Sequence, residues 1–392
     1  MPIAFLKRNF ISPLLEFIHD SRAVGIVLVI CTAISLIVSN TAWGNSYMQF
    51  WTSEIHLYSY LPHSILHWIN DALMAVFFFL VGMEIKRELT IGELSSIKKS
   101  MVPVVAALGG MLVPALIFIF FNAGTAYQKG WGIPMATDIA FSLGVASLLG
   151  KRVPVSLKLF LMALAIIDDL GAIVAIAVFY TETINLFYLF SGVGIFSVLL
   201  IWNYFKLPFG FWNFILGIAL WFCFFNSGVH ATIAGVLFAF TIPLNQLSKL
   251  EHALHHYVNF LIIPIFALAN TAILIPADFT QHITNKLSFG ILFGLLLGKP
   301  IGIVFFSWAL VKLKLGTLAK GIEWKHMIGL GLLAAIGFTM SIFISMLAFK
   351  DSFTQDISKV AVIIASLIAM LLSYAWFKYF IKEITPKSLA SF

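Results

Sequence analysis

Charge and cysteine are what this chain has least of. Only 10% of its 392 residues are Asp, Glu, Lys or Arg, while 61% are hydrophobic and the mean hydropathy is +1.00. So few charges exclude every soluble class, because such a chain cannot cover itself with a polar surface. They also exclude a nucleic-acid partner, so the formal net charge of +7 reads as loop lysines beside a bilayer. The two cysteines, Cys31 and Cys223, lie inside apolar runs. No structural disulfide is expected, and no metal-ligand spacing exists. The N-terminus has no apolar core directly after its basic residues, so no cleaved leader is expected there. Its FISPLLEFI stretch reads instead as a short interfacial helix.

Long apolar runs are what the chain does have. Runs of roughly 20 apolar residues match a bilayer's thickness. They fall near 22–40, 65–85, 101–122, 132–150, 156–180, 184–204, 209–225, 229–243, 256–275, 288–311, 326–349 and 358–380. The reading is an all-α polytopic membrane protein with about 12 transmembrane helices. It forms a single integral domain over 1–392, membrane-embedded over about 22–380, with the lipid bilayer as its partner. Placing both termini on one side puts 19 Lys and Arg there and 4 on the other, with Lys299 inside the membrane. That asymmetry predicts cytoplasmic termini. Residues 43–63 are aromatic, and Ile55 to Tyr60 alternate with period two, which predicts a small β-hairpin on the outer face. An exposed hairpin edge suits pairing with a second copy.

The stretch LMALAIIDDLGAIVAIAVF (161–179) carries two adjacent acids, Asp168 and Asp169, at the centre of a span. Intramembrane acids are expensive and point to function. Helical neighbours diverge by about 100°, so each acid needs its own partner. Two further spans are interrupted. One holds Gly132, Pro134, Thr137 and Asp138, and the other Gly337, Thr339 and Ser341. ATDIAF and FTMSIF both space Thr and Phe four apart, and interrupted spans in two halves point to a transporter site. Lys299 is the remaining intramembrane charge. Three acids and one lysine leave net negative charge, which protons or metal cations would neutralise. Carboxylate and hydroxyl oxygens suit hard cations such as Na+ or Li+, and Thr137 beside Asp138 adds one such oxygen.

Other residues are less decisive from pattern alone. Glu84, Arg87 and Glu88 read as a solvated helix-end network. Asp71 reads as a mouth residue or a solvated end, and His230 as a packed span-end histidine. Glu251, His252, His255 and His256 read as a surface that can respond to pH.

WINDALMAVFFFLVGMEIKREL, WGIPMATDIAFSLG, LMALAIIDDLGAI, SGVHATIAGV, LEHALHHYV, LLLGKPIGI and IGFTMSIFIS occur in this order. Together they resemble the bacterial NhaA-type sodium/proton antiporters. The resemblance covers about residues 10–380. It implies inverted repeats in spans 3–5 and 10–12, with spans 4 and 11 broken and crossing. It implies Na+ at Asp169 and Asp138, with Asp168 paired to Lys299. Asp138 and Lys299 would offset the positive and negative half-helix ends. It links Glu84, Arg87, Glu88, His230, Glu251, His252 and His255 to pH response, and the 45–60 hairpin to a homodimer. His256 and the basic segment GTLAKGIEWKHM depart from the pattern, which bears on the pH set point.

The implied function is electrogenic, pH-regulated export of Na+ or Li+ against H+, for sodium and pH homeostasis. The setting is a bacterial inner membrane, with no cofactor and no enzymatic chemistry. Proton-coupled solute uptake is the alternative, but the core has no aromatic and amide cluster for an organic solute. An intramembrane aspartyl protease would need a GxGD sequence, which none of the three acids has. A channel would need a repeated filter motif.

Overall fold

The computed structural model describes residues 21–55, 58, 60–181, 183–275, 283–319 and 321–382. The expected interfacial helix at FISPLLEFI lies outside them. Helix α1 (Ser21–Ser39) turns through 115° into α2 (Gly44–Thr52). Next come α3 (Ile65–Thr90) and α4 (Ile97–Asn122). A 3-10 arm (Ala126–Met135) leads at a 44° bend into α5 (Ile139–Leu148). Then follow α6 (Val155–Phe179), α7 (Leu186–Tyr204), α8 (Phe211–Ser227), α9 (Thr232–Thr241), α10 (Leu244–Asn270) and α11 (Lys286–Lys312). A second bent pair, α12 (Trp324–Ala334) and α13 (Phe338–Ala348), breaks by 49°, and α14 (Ser352–Phe380) follows.

Seven of these helices are long and apolar enough to cross a membrane, and the three bent pairs bring the number to ten. The remaining two apolar helices, α8 and α9, are shorter. At 1.5 Å per residue, the ten residues of α9 reach only about 15 Å, half a hydrocarbon core. Within the run at 229–243 the α-helix covers only Thr232–Thr241. The following helix starts at Leu244 rather than near 256, because polar, amphipathic Leu244–Tyr257 continues helically into the apolar stretch.

The first part of the segment expected as a hairpin over 45–60 is helical, and part of the alternating run at 55–60 lies outside the described residues. Among the described residues there is no strand, and Gly44–Thr52 is helical. Tyr47 and Trp51, one turn apart, stack edge to face, and Tyr47 Oη donates to Ser35 Oγ at 3.1 Å. Those contacts tie the segment down as a helix. One antiparallel bridge remains, Glu54 with Ser64, flanked by Ile55 N to His63 O (2.7 Å) and Ile65 N to Ser53 O (3.3 Å).

Polarity is inverted relative to a protein in water. Phe187, Phe190 and Ile201 of α7 are exposed, while Asp138, Asp168, Asp169 and Lys299 are buried. Without a hydrophobic force between helices, close contact needs small residues. Helix α4 packs on α11 where Gly109 meets Gly302. A Cβ on either would lie 2.3 or 2.1 Å from the other's carbonyl oxygen.

Three π turns interrupt the long helices, at Trp68–Leu73 in α3, Val258–Ile262 in α10 and Gly294–Gly298 in α11. The last two lie just before Pro264 and Pro300. Proline has no N–H and its ring crowds the carbonyl four residues back, so the preceding turn widens. Each π turn carries or adjoins a polar residue of interest: Asp71, Asn259 and Lys299.

Candidate functional site

The two bent pairs meet at their breaks, where Asp138 N donates to Ile336 O at 2.8 Å. Gly337 sits at this contact. A Cβ there would lie 2.2 Å from Ser341 Oγ and 3.2 Å from Ala136 O. Each break exposes helix ends whose backbone groups have no intrahelical partner, and lipid supplies none. The side chains at the crossing satisfy them. Asp138 is the N-cap of α5 and accepts from Phe141 N at 2.9 Å. Its other oxygen accepts from Thr339 N at 3.1 Å and from the Thr339 hydroxyl, in the first turn of α13. One carboxylate thus caps two helix N-termini, where the helix dipoles favour negative charge. At the opposite ends, Lys299 Nζ donates to Met135 O, the last carbonyl of the 3-10 arm. Phe338 N donates to Ser366 Oγ of α14 at 3.1 Å.

Asp168 and Asp169 diverge as helical neighbours must. Asp168 Oδ2 takes Lys299 Nζ at 2.9 Å and Thr137 Oγ1 at 2.6 Å, with both charged side chains fully buried. Asp169 Oδ1 is buried and has no hydrogen-bond partner in the protein. It lines a cavity of about 130 Å³ together with Asp138, Thr339, Glu84, His255 and Asn259. Pro300 fixes the π turn ahead of Lys299, which helps aim the ammonium inward.

Thr137 does not extend this cavity. Its hydroxyl lies 2.6 Å from Asp168 Oδ2 and 3.0 Å from Ala334 O, so it supports the ion pair instead. The hydroxyl beside Asp138 belongs to Thr339, which pattern reading noted only as an interruption. The Thr-to-Phe similarity of ATDIAF and FTMSIF was the available signal for it.

Glu84, Arg87, Glu88 and Glu251 are not a solvated helix end. Arg87 bridges Glu88 at 3.1 Å and Glu251 at 3.3 Å, and both acids are buried. His255 Nδ1 stands 4.0 Å from Glu84 Oε1, and its Nε2 is 2.9 Å from Asn259 Nδ2. His252 and His256 are exposed, with His256 against Phe260. His230 lies apart from this cluster. Its Nδ1 is 3.8 Å from Asp71 Oδ1, and its ring meets Phe343 edge-on. Both members of that pair are largely buried, so Asp71 is not a plain solvated helix end. Among the described residues no group of three or more His, Cys, Asp or Glu could hold a metal ion in the manner of a resident site.

The site therefore offers carboxylates and hydroxyls around a small cavity, which is hard-cation chemistry. Comparison with known proteins agrees. A family model described as Na+/H+ antiporter 1 matches residues 15–377. A Na(+)/H(+) antiporter NhaA from Cytophaga hutchinsonii is 47% identical, covering 94% of this chain and 95% of that protein. Na(+)/H(+) antiporter NhaA 2 of Flavobacterium johnsoniae is 50% identical over 90% and 89%. The NhaA of Dechloromonas aromatica is 47% identical over 93% and 95%. Coverage that complete on both sides shows that the chain belongs to the Na+/H+ antiporter 1 family.

Proposed function

We infer that this protein is a secondary antiporter of a bacterial inner membrane, exporting Na+ or Li+ in exchange for H+. The observation that carries the reading is the unlike state of two adjacent acids. Asp168 is neutralised by Lys299, while Asp169 is unpaired at a cavity that also reaches Asp138. A carboxylate without a resident counter-charge at that depth has to bind a proton or a cation, and competition between the two is antiport. Asp169 is the principal carboxylate, and Asp138 with Thr339 supplies further oxygens. Two protons moving against one cation make the exchange electrogenic. Glu84, Arg87, Glu88, Glu251, His252 and His255 form the pH-responsive approach at the inner mouth, and His230 responds from the outer side. The chain crosses the membrane twelve times, with α8 and α9 as crossings, the two bent pairs in inverted repeats, and both termini cytoplasmic. The 45–60 segment is a homodimer contact.

Inside-out vesicles from cells lacking other antiporters, given an acid interior and an acridine dye, test the exchange. Added Na+ or Li+ restores fluorescence, and Asp169→Asn abolishes the response. Protons compete for the same carboxylates, so the apparent KM for Na+ falls as pH rises, by up to about tenfold per pH unit for each competing proton. A KM independent of pH, or exchange surviving in Asp169→Asn, would contradict the mechanism.

A further inference from the structure

We propose that Ser142 and Ser341 form a reciprocal latch that fixes the helix crossing and so sets the affinity for the transported cation. The proposal rests on the antiporter reading above and adds two positioning residues to it. Each serine is the fourth residue of the second helix in its bent pair: α5 begins at Ile139 and α13 at Phe338. Each reaches to the other pair's first arm. Ser142 Oγ donates to Leu333 O of α12 at 2.8 Å, and Ser341 Oγ donates to Ile133 O of the 3-10 arm at 2.7 Å. Both serines are fully buried.

This is not what a serine in a membrane helix ordinarily does. Ser345 of α13 donates to Ile342 O and Ser307 of α11 to Ile303 O, each within its own helix. Ser142 and Ser341 instead spend their single O–H on the partner pair. The acceptors lie near the C-terminal ends of the first arms, where carbonyls lack an i+4 helical partner, and Leu333 O also accepts from Ile336 N at 3.2 Å. The two bonds therefore tie α5 to α12 and α13 to the 3-10 arm, closing the crossing from both sides.

The consequence for the site is geometric. Asp138 binds the first turns of α5 and α13, at Phe141 N and Thr339 N. Ser142 follows Phe141 directly, and Ser341 lies two residues after Thr339. If either helix slips, Asp138 and Thr339 move relative to Asp169 across the cavity they share. Neither serine lines that cavity, so both act through Asp138 and Thr339 rather than by touching the cation.

The test is Na+-driven fluorescence recovery in vesicles for wild type, S142A, S341A and S345A, normalised to inserted protein. S345A controls for loss of a buried hydroxyl on the same helix. S142A and S341A should each raise the apparent KM for Na+ about fivefold or more, the scale set by one buried hydrogen bond, with the maximal response per protein largely kept. S345A should leave KM within twofold. A merely structural role would lower the amount of inserted protein and leave KM alone. If an alanine variant fails to insert, the cysteine variant takes its place, being similar in size and a far weaker donor. KM within twofold of wild type for both serine positions overturns the latch. Absence of exchange in wild type overturns the antiporter reading itself, so the two failures are distinguishable.

Discussion

Lys299 serves two acceptors at once, the carboxylate of Asp168 and the terminal carbonyl Met135 O. Its removal strands both in a place water does not reach. Breaking a buried pair from one side costs about 3–5 kcal/mol, because the partner's charge stays behind uncompensated. Lys299→Met, which keeps length and volume, should therefore lower the thermal midpoint in detergent strongly. Asp168→Asn should also lower it, and the double variant should lose less than the sum of the singles, since the pair is absent from both sides. Additive losses in a fluorescence-detected melting series would show that the ion pair contributes no coupling. At this scale the sequence was informative about which residues matter and poor on how their oxygens point. Asp138, Asp168, Asp169 and Lys299 stand out because a charge inside an apolar run has no other explanation. Thr137 and Thr339 exchange the roles that adjacency suggests, because a crossing of two chains decides which hydroxyl meets which acid.

Helix interruptions divide into those that composition encodes and those that it hides. Gly132, Pro134 and Gly337 mark the two breaks in plain view. The π turns at Val258–Ile262 and Gly294–Gly298 leave the apolar pattern intact, so hydropathy does not register them. The early start of α10 is hidden for the converse reason, since Leu244–Tyr257 is too polar to look like part of a span. The helix at Gly44–Thr52 was hidden because the aromatic, weakly apolar stretch is held by tertiary contacts of Tyr47 that pattern does not register. Close contact between α4 and α11 is likewise a property of the pair. Gly302→Ala puts a methyl into the carbonyl of Gly109 and pushes apart the helices that hold Lys299 in place. Overpacking of this kind costs about 1–3 kcal/mol, and backbone cannot move aside as a side chain can. Gly194, inside α7, has nothing within 4 Å of its Cβ position. Gly194→Ala should be neutral or stabilise by up to about 1 kcal/mol through helix propensity. Detergent melting of the two variants checks the contrast, and equal effects would refute the role given to the α4–α11 crossing.

Across the whole molecule, access to Asp169 is decided by what fills the space on either side of it. Along α3, Phe78 lies between Glu84, which faces the cavity, and Asp71, which pairs with His230. Along α10, Phe266 lies between Asn259, also at the cavity, and Asn270. Both rings pack on Phe343 of α13, with centroids 5.4 and 6.4 Å away, and all three are buried. This aromatic layer stands between the cavity and the Asp71–His230 pair, while Glu84 and His255 line the cavity itself. Access to the cavity is therefore expected from the face that carries Lys86, Arg87 and Lys249. A single cysteine at Leu143, a cavity-lining position of α5, reports this in a background with Cys31 and Cys223 replaced by alanine. A membrane-impermeant thiol reagent should label Leu143→Cys from the basic face, and much more slowly from the other. Inside-out and right-side-out vesicles compared at one reagent concentration read the ratio directly. Equal labelling from both faces would mean that the aromatic layer does not seal, and the alternation of access that antiport requires would have to reside elsewhere in the fold.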